Sequence, residues 1–164
     1  MADNRITYEA SQKLELKWIK DNSISHEFAD GKGTIVLKEG VMEIGDSAFS
    51  ECVELTSIVI PDSIVEIGMS AFCGCRELAS VNLPGSVKRI ESGAFYRCDE
   101  LKNMTLPDSV RVIEEFAFGE CYKLPDDVRT KIQKKNRAAT KFLFLFPTLR
   151  TENLGDNENT SFSN

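Results

Sequence analysis

The chain has 164 residues, of which 41% are hydrophobic and 28% are charged, and its formal net charge is −6. A chain of this length suits one globular unit with tails rather than a multidomain enzyme, and its composition excludes bulk disorder. The negative charge disfavours nucleic acid as a partner. The longest wholly apolar run, residues 142–146, is far shorter than the roughly 20 residues of a bilayer span. We therefore expect no membrane span and, since the start is polar throughout, no signal peptide.

Residues 1–33 are predicted to form an N-terminal cap. Apolar residues recur there at every fourth position: Ile6, Ala10, Leu14 and Trp18. This spacing favours an amphipathic helix over residues 5–20, although residues 14–18 also alternate like a strand. Residues 23–33 are interpreted as a degenerate repeat unit, in which Phe28 stands for a phenylalanine that recurs later in the chain.

Residues 34–125 contain four copies of a unit of 23 residues. The most regular columns are Ile44, Ile67, Ile90 and Ile113; Ala48, Ala71, Ala94 and Ala117; Phe49, Phe72, Phe95 and Phe118; Cys52, Cys75, Cys98 and Cys121; and Leu55, Leu78, Leu101 and Leu124. A looser column contains Ile35, Ile58, Val81 and Met104. Equal long spacing places each cysteine at the same point of a repeated unit, unlike a disulfide framework or a C-x-x-C metal site. We therefore expect a buried column of unpaired cysteines and no metal site.

Each part of a unit predicts a conformation. Residues 55–60 alternate like a short strand, and the Pro-Asp-Ser sequence at residues 61–63 ends it in a turn. Gly68 suits a tight bend, and residues 70–75 change to a helical period that places Ala71, Phe72 and Cys75 on one stripe. One unit alone buries little apolar surface, so the units must stack into a solenoid.

The order L-x-x-I-x-I-P, S-V-x-x-I and A-F-x-x-C-x-x-L, seen in LPGSVKRIESGAFYRCDELKN at residues 83–103, resembles the BspA-like class of leucine-rich repeats. The resemblance covers a little over half of the chain. It implies a right-handed α/β solenoid with short parallel strands on one face and short helical turns on the other. It also implies protein or surface binding, and neither catalytic residues nor a cofactor.

Residues 126–150 are predicted to form a C-terminal cap, which makes both caps helical. Proline and two aspartates suit the start of a helix, and Val128, Ile132 and Ala139 form its apolar side. The FLFLFP sequence at residues 142–147 is typical of a strand or packing segment, and residues 151–164 are predicted to be a disordered tail.

The leading hypothesis for function is a non-enzymatic module that binds a protein partner through the exposed face of its sheet. The outward positions of the predicted strands are small and mostly polar: Ser57, Val59, Ser80, Asn82, Asn103 and Thr105. An alternative site is a basic patch at the C-terminal end: Lys131, Lys134, Lys135, Arg137 and Lys141. A solvated helix face explains that patch more simply.

Two further alternatives remain open. An enzyme would have to use Cys73, the cysteine outside the column, or His26, the only histidine. A cell-surface adhesin, secreted with its leader removed or by another route, would fit the BspA-like resemblance. Reduced core cysteines and the missing leader instead favour the cytoplasm.

Overall fold

The computed structural model describes residues 4–136. In chain order its elements are β1 (Arg5–Ala10), α1 (Lys17–Asn22), β2 (Ser23–Ala29), β3 (Lys32–Leu37), β4 (Glu43–Ile44), β5 (Leu55–Val59), β6 (Glu66–Ile67), β7 (Ser80–Asn82), β8 (Arg89–Ile90), β9 (Asn103–Met104), β10 (Val112–Ile113) and α2 (Asp126–Asn136). The large sheet has the strand order β2-β3-β1-β5-β7-β9, and the small sheet has the order β10-β8-β6-β4. Within the described range, no helix combines the length and apolar character needed to cross a membrane.

The repeats pair at equivalent positions, as the sequence predicts. In the large sheet Ile58 pairs with Val81 and Val81 with Met104 in parallel register, and all three side chains are buried. The isoleucine column forms the small sheet in the same way, with Ile67 pairing with Ile44 and Ile90. The repeats therefore contribute two parallel sheets where one was expected. Two-residue strands are too short to produce a detectable alternation, which is why the second sheet was missed.

The short helical turns expected after the small sheet are separate hydrogen-bonded turns and not a continuous helix. The amides of Ala48, Ser50 and Cys52 donate to the carbonyl three residues earlier in the chain. The amides between them donate sideways to the next repeat, as Phe49 N does to Ala71 O at 2.7 Å. Ser47 and the equivalent residues of the other repeats have positive φ angles, which a right-handed helix does not contain. The turns therefore do not extend into a helix.

Two of the predicted columns, the phenylalanines and the cysteines, are buried in the core. The rings of Phe49, Phe72, Phe95 and Phe118 stack with centroids 5.1–5.2 Å apart and nearly parallel planes. The four column cysteines are buried and unpaired, as expected. The Cys75 thiol donates to the carbonyl of Phe49 in the preceding repeat at 3.0 Å, and Cys98 and Cys121 repeat this contact. A small residue with a weak donor thus fits this position.

The N-terminal segment is mainly strand, so the helix expected over residues 5–20 is wrong. Exposed and buried side chains alternate along β1, and only α1 is helical. Strand β1 lies between β3 and β5 and is antiparallel to both. Consequently Tyr8, rather than Ile35 of the predicted column, lies opposite Ile58.

Phe28 was expected to stand for the recurring phenylalanine, and this expectation is also wrong. Phe28 lies on β2 and stacks against Tyr8, with ring centroids 6.0 Å apart. Trp18 instead ends the phenylalanine stack, since its ring lies 5.7 Å from that of Phe49. The indole of Trp18, on the short helix α1, contacts the first ring of the stack without repeating the sequence motif, and so leaves no periodic signal.

A partly buried hydrogen bond links Tyr8 of β1 to His26 of β2. The Tyr8 oxygen lies 2.7 Å from Nε2 of His26 and accepts the amide hydrogen of Leu14 at 3.3 Å. Burial lowers the pKa of His26, the Lys13 ammonium lowers it further, and Glu15 opposes the shift. The lowered pKa favours the neutral imidazole of His26. Which atom donates in the bond between the Tyr8 oxygen and Nε2 depends on the tautomer of the ring.

The phenylalanine stack can be tested by truncating one ring. Phe95→Ala should lower the free energy of unfolding by about 3 to 5 kcal/mol, because the ring is fully buried between two others. Phe116→Ala, in the next repeat, should change it by no more than about 0.5 kcal/mol, since Phe116 is 46% exposed. Chemical denaturation measures both values. Equal losses for the two variants would contradict the assignment of Phe95 to the core.

The state of His26 predicts a dependence of stability on pH. The unfolded histidine has a pKa of about 6.5, and the folded value lies below it. As the pH falls below about 6.5, the unfolded chain binds a proton that the folded protein resists, so stability should fall until the folded pKa is passed. His26→Gln keeps an acceptor for Tyr8 but does not titrate, so it should lose less stability over this range. Denaturation midpoints are measured at several pH values for both proteins. If the two midpoints change with pH in parallel, the assignment of a neutral state to His26 is contradicted.

Candidate functional site

The predicted binding residues lie in rows across the outer face of the large sheet. Ser57 pairs with Ser80 and Ser80 with Asn103, and Val59 pairs with Asn82. In these rows Val59, Asn82 and Asn103 are exposed, whereas the two serines are half-buried. Thr105 is exposed just after β9 and outside the paired register. The fold thus brings five of the six residues into two rows, and binding through them remains a prediction.

The outer face extends beyond the repeats onto the N-terminal strands, which the sequence analysis missed. Thr7 pairs with Val59 on one side and with Thr34 on the other. Glu9 pairs with Ser57 and with Lys32 in the same way. The two rows therefore continue across β5, β1 and β3. The alternation in RITYEA at residues 5–10 carried this signal, but the spacing of every fourth residue obscured it.

Charge on the outer face is confined to its N-terminal end. The outward residues of β5, β7 and β9 carry no charge, whereas the repeats at residues 34–125 contain eight basic and fifteen acidic side chains. On the N-terminal strands, the Lys32 ammonium lies 3.8 Å from a carboxylate oxygen of Glu9. The part of the face that the repeats contribute is therefore an uncharged surface in an acidic protein.

The small sheet presents a face of the opposite character. Arg89 contacts carboxylates on both sides, with Nε 3.4 Å from Glu66 and Nη1 2.5 Å from Glu114. Burial and a hydrogen bond to Glu66 raise the pKa of Glu91. Burial and the neighbouring Asp46 likewise raise that of Glu43. These carboxylates repel one another, so a partner of negative charge would be excluded from this face.

The predicted basic patch is only partly available for binding. Lys131 and Lys134 are exposed on α2, but Lys135 is half-buried. The Lys135 ammonium donates to the carbonyl of Val110 at 2.6 Å and lies 3.5 Å from that of Asp108. Val128 and Ile132 are buried beside it, as predicted. Arg137, Lys141, Ala139 and the segments predicted for residues 142–164 lie outside the described residues.

Lys135 takes the place of a residue from a further repeat. At one junction between repeats, the Ser86 hydroxyl donates to the Ile64 carbonyl at 2.6 Å, whereas the equivalent Ser109 hydroxyl has no partner among the described residues. Val110 is the equivalent of Ile64 in the last described repeat, and there the lysine supplies the donor. The Lys135 ammonium is therefore bound to the last described repeat and is not part of a free basic surface.

The surroundings of Cys73 and His26, the two residues considered for catalysis, differ from those that catalysis needs. Cys73 lies in a turn of the second repeat, where burial and the nearby Glu51 raise the pKa of its thiol. A nucleophilic cysteine needs a lowered pKa. His26 lies on the edge strand β2 and is bonded to Tyr8. Strands β3 and β1 lie between β2 and β5. Across residues 4–136, no cluster of histidine, cysteine and acidic residues is suited to hold a metal ion.

Comparison with known proteins identifies the family. A model of the BspA type leucine-rich repeat region matches residues 32–159 in six copies, which confirms the resemblance seen in the sequence. The crystal structure of the T. pallidum leucine-rich repeat protein TpLRR is 36% identical, with a TM-score of 0.52, over 54% of this chain and 42% of that chain. The pneumococcal vaccine antigen PcpA is 28% identical, with a TM-score of 0.50, over 54% of this chain and 22% of that chain. The chain thus spans less than half the length of either structure, and no curated protein matches it. By the family model, the chain belongs to the BspA type leucine-rich repeat family.

Proposed function

We propose that the chain is a non-enzymatic interaction module that binds a protein partner through the outer face of the large sheet. The observation that carries this proposal is the pair of uncharged rows that cross β5 and β7 in fixed register. Parallel pairing fixes the spacing of these side chains before binding. A partner therefore meets a surface that loses little conformational entropy on association.

The contrast between the two faces supports this choice of surface. The small sheet carries repelling carboxylates around Arg89, and its binding would depend strongly on salt. The outer face offers hydroxyl and amide groups together with Val59, which is 43% exposed. Such a surface has the mixed apolar and hydrogen-bonding character of ordinary protein interfaces.

In this proposal the repeats form a right-handed solenoid that is capped at both ends. Trp18 covers the phenylalanine stack at one end, and α2 with Lys135 covers the other. Closed ends leave the faces of the sheets as the surfaces for a partner, because an uncapped array would associate through its apolar cross-section.

A role at the cell surface, including that of an adhesin, is the second candidate. The expected cytoplasmic location rested on reduced cysteines and on the missing leader, and the comparisons lend it no support. Burial raises the pKa of Cys52 to about 12 and that of Cys75 further. Thiols held in this way react slowly in any compartment, so they do not argue for the cytoplasm. Membership of the BspA type family favours the surface, and one similar protein, PcpA, is a vaccine antigen.

The proposed face can be tested by adding charge to it. We expect the triple variant Val59→Glu, Asn82→Glu and Thr105→Glu to lose partner capture by at least about tenfold, because each carboxylate must be desolvated in the interface. A matched control adds three glutamates at exposed residues away from this face: Met42, Met69 and Tyr122. Quantitative pull-down from native material, with circular dichroism as the test of folding, compares the two.

The control and one further variant separate the alternatives. Retained capture by the folded face variant would reject the outer face as the binding site. Loss of capture with Lys131→Glu and Lys134→Glu alone would assign binding to α2. Lys135 is left unchanged in that variant because its ammonium is bound to the last described repeat.

A further inference from the structure

Strand β2 forms one edge of the large sheet and is suited to pair with another strand. It contains seven residues, Ser23–Ala29, whereas β9 at the opposite edge contains two. Within residues 4–136 no strand lies beyond it. An unprotected edge strand of this length presents unpaired backbone groups that bind a further strand.

The sequence of β2 lacks the features that usually protect an edge. It has neither proline nor lysine, and Glu27 is its only acidic residue. The irregularity in its pairing lies between Ser23 and Ser25 and leaves Ile24 without a partner on β3, so the regular part of the strand is residues 25–29. Ile24 is 71% exposed at this edge, more than any other large hydrophobic residue described. Both backbone pairing and apolar contact are therefore available.

We infer that β2 pairs antiparallel with β2 of a second copy of this chain, about a two-fold axis at His26. In this register Glu27 lies opposite Ser25 of the second copy, and Ile24 lies beside Phe28 of the second copy. Symmetry makes each of these contacts twice. Moving the axis to Glu27 would place two carboxylates opposite each other, which is destabilising.

Charge distribution favours a second copy as the occupant. Residues 4–33 contain five basic and five acidic side chains, so this end of the protein is neutral. The repeats at residues 34–125, with their excess of acidic residues, would lie on opposite sides of the axis. Two copies therefore meet at the one end where their net charges do not repel.

The pairing would join the two large sheets into one continuous sheet. A two-fold axis perpendicular to the sheet keeps both outer faces on the same side. The consequence for binding rests on the proposed function: the dimer would present two binding faces side by side and bind a repetitive partner with higher avidity.

The experiment measures self-association of the full chain without any partner, so its result is independent of the proposed function. Sedimentation equilibrium from low to high micromolar concentration should show a monomer–dimer equilibrium. Ile24→Glu should weaken the dimer by about tenfold or more, because two apolar cross-strand contacts are lost. Met69→Glu makes a similar charge change at a residue that is 50% exposed on a repeat, and it should leave the equilibrium unchanged.

A second variant tests the register. Ser25→Lys should strengthen the dimer at low salt and lose this effect at high salt, because each lysine then faces Glu27 of the second copy. A lysine on an edge strand ordinarily prevents pairing, so a tighter dimer is specific to this register. A monomer at all concentrations, an unchanged dimer with Ile24→Glu, or a weaker dimer with Ser25→Lys at low salt would overturn the inference.

Discussion

Alternate amides of each turn donate their hydrogen bonds to the next repeat, and the rest of the structure depends on this sideways bonding. Phe49, Phe72 and Phe95 each donate to an alanine carbonyl 22 residues further along the chain, at 2.7 Å. The bond holds neighbouring repeats at nearly the spacing of paired strands, about 4.8 Å. Phenylalanine rings then stack at 5.1–5.2 Å, and the thiol of one repeat reaches the carbonyl of the previous one. No repeat can satisfy its backbone alone, so the repeats are stable only together.

The same constraint explains why the two ends differ from the middle. At the start, β1 supplies an antiparallel partner for β5, and Trp18 supplies the ring that precedes Phe49. After the last described repeat, Lys135 donates to the Val110 carbonyl, as Ser86 does to the equivalent carbonyl of Ile64. Both solutions replace the contacts of a repeat without its sequence. They also leave the outer face of the large sheet open, from β3 to β9.

Much of the repeat structure could be predicted from the sequence, because stacking demands the same residue type at the same position. The phenylalanine and cysteine columns and the register of Ile58, Val81 and Met104 follow from that demand. The ends could not be predicted, because β1 and Trp18 each occur once and so show no period. The turns were misassigned because Ala-Phe-x-x-Cys places its residues on one side of either a helix or a tight turn. The candidate face was found in the repeats and missed on β1 and β3 for the same reasons.

The central claim is that each repeat is held by equivalent contacts to its neighbours, and removing one whole repeat tests it most directly. Deletion of residues 78–100, one full period, rejoins equivalent positions. It should leave a protein that unfolds cooperatively at a lower temperature. Deletion of residues 78–98 removes almost the same length but shifts every column, so that protein should not fold. Thermal unfolding followed by circular dichroism compares them, and loss of cooperative unfolding after the full-period deletion would contradict the account.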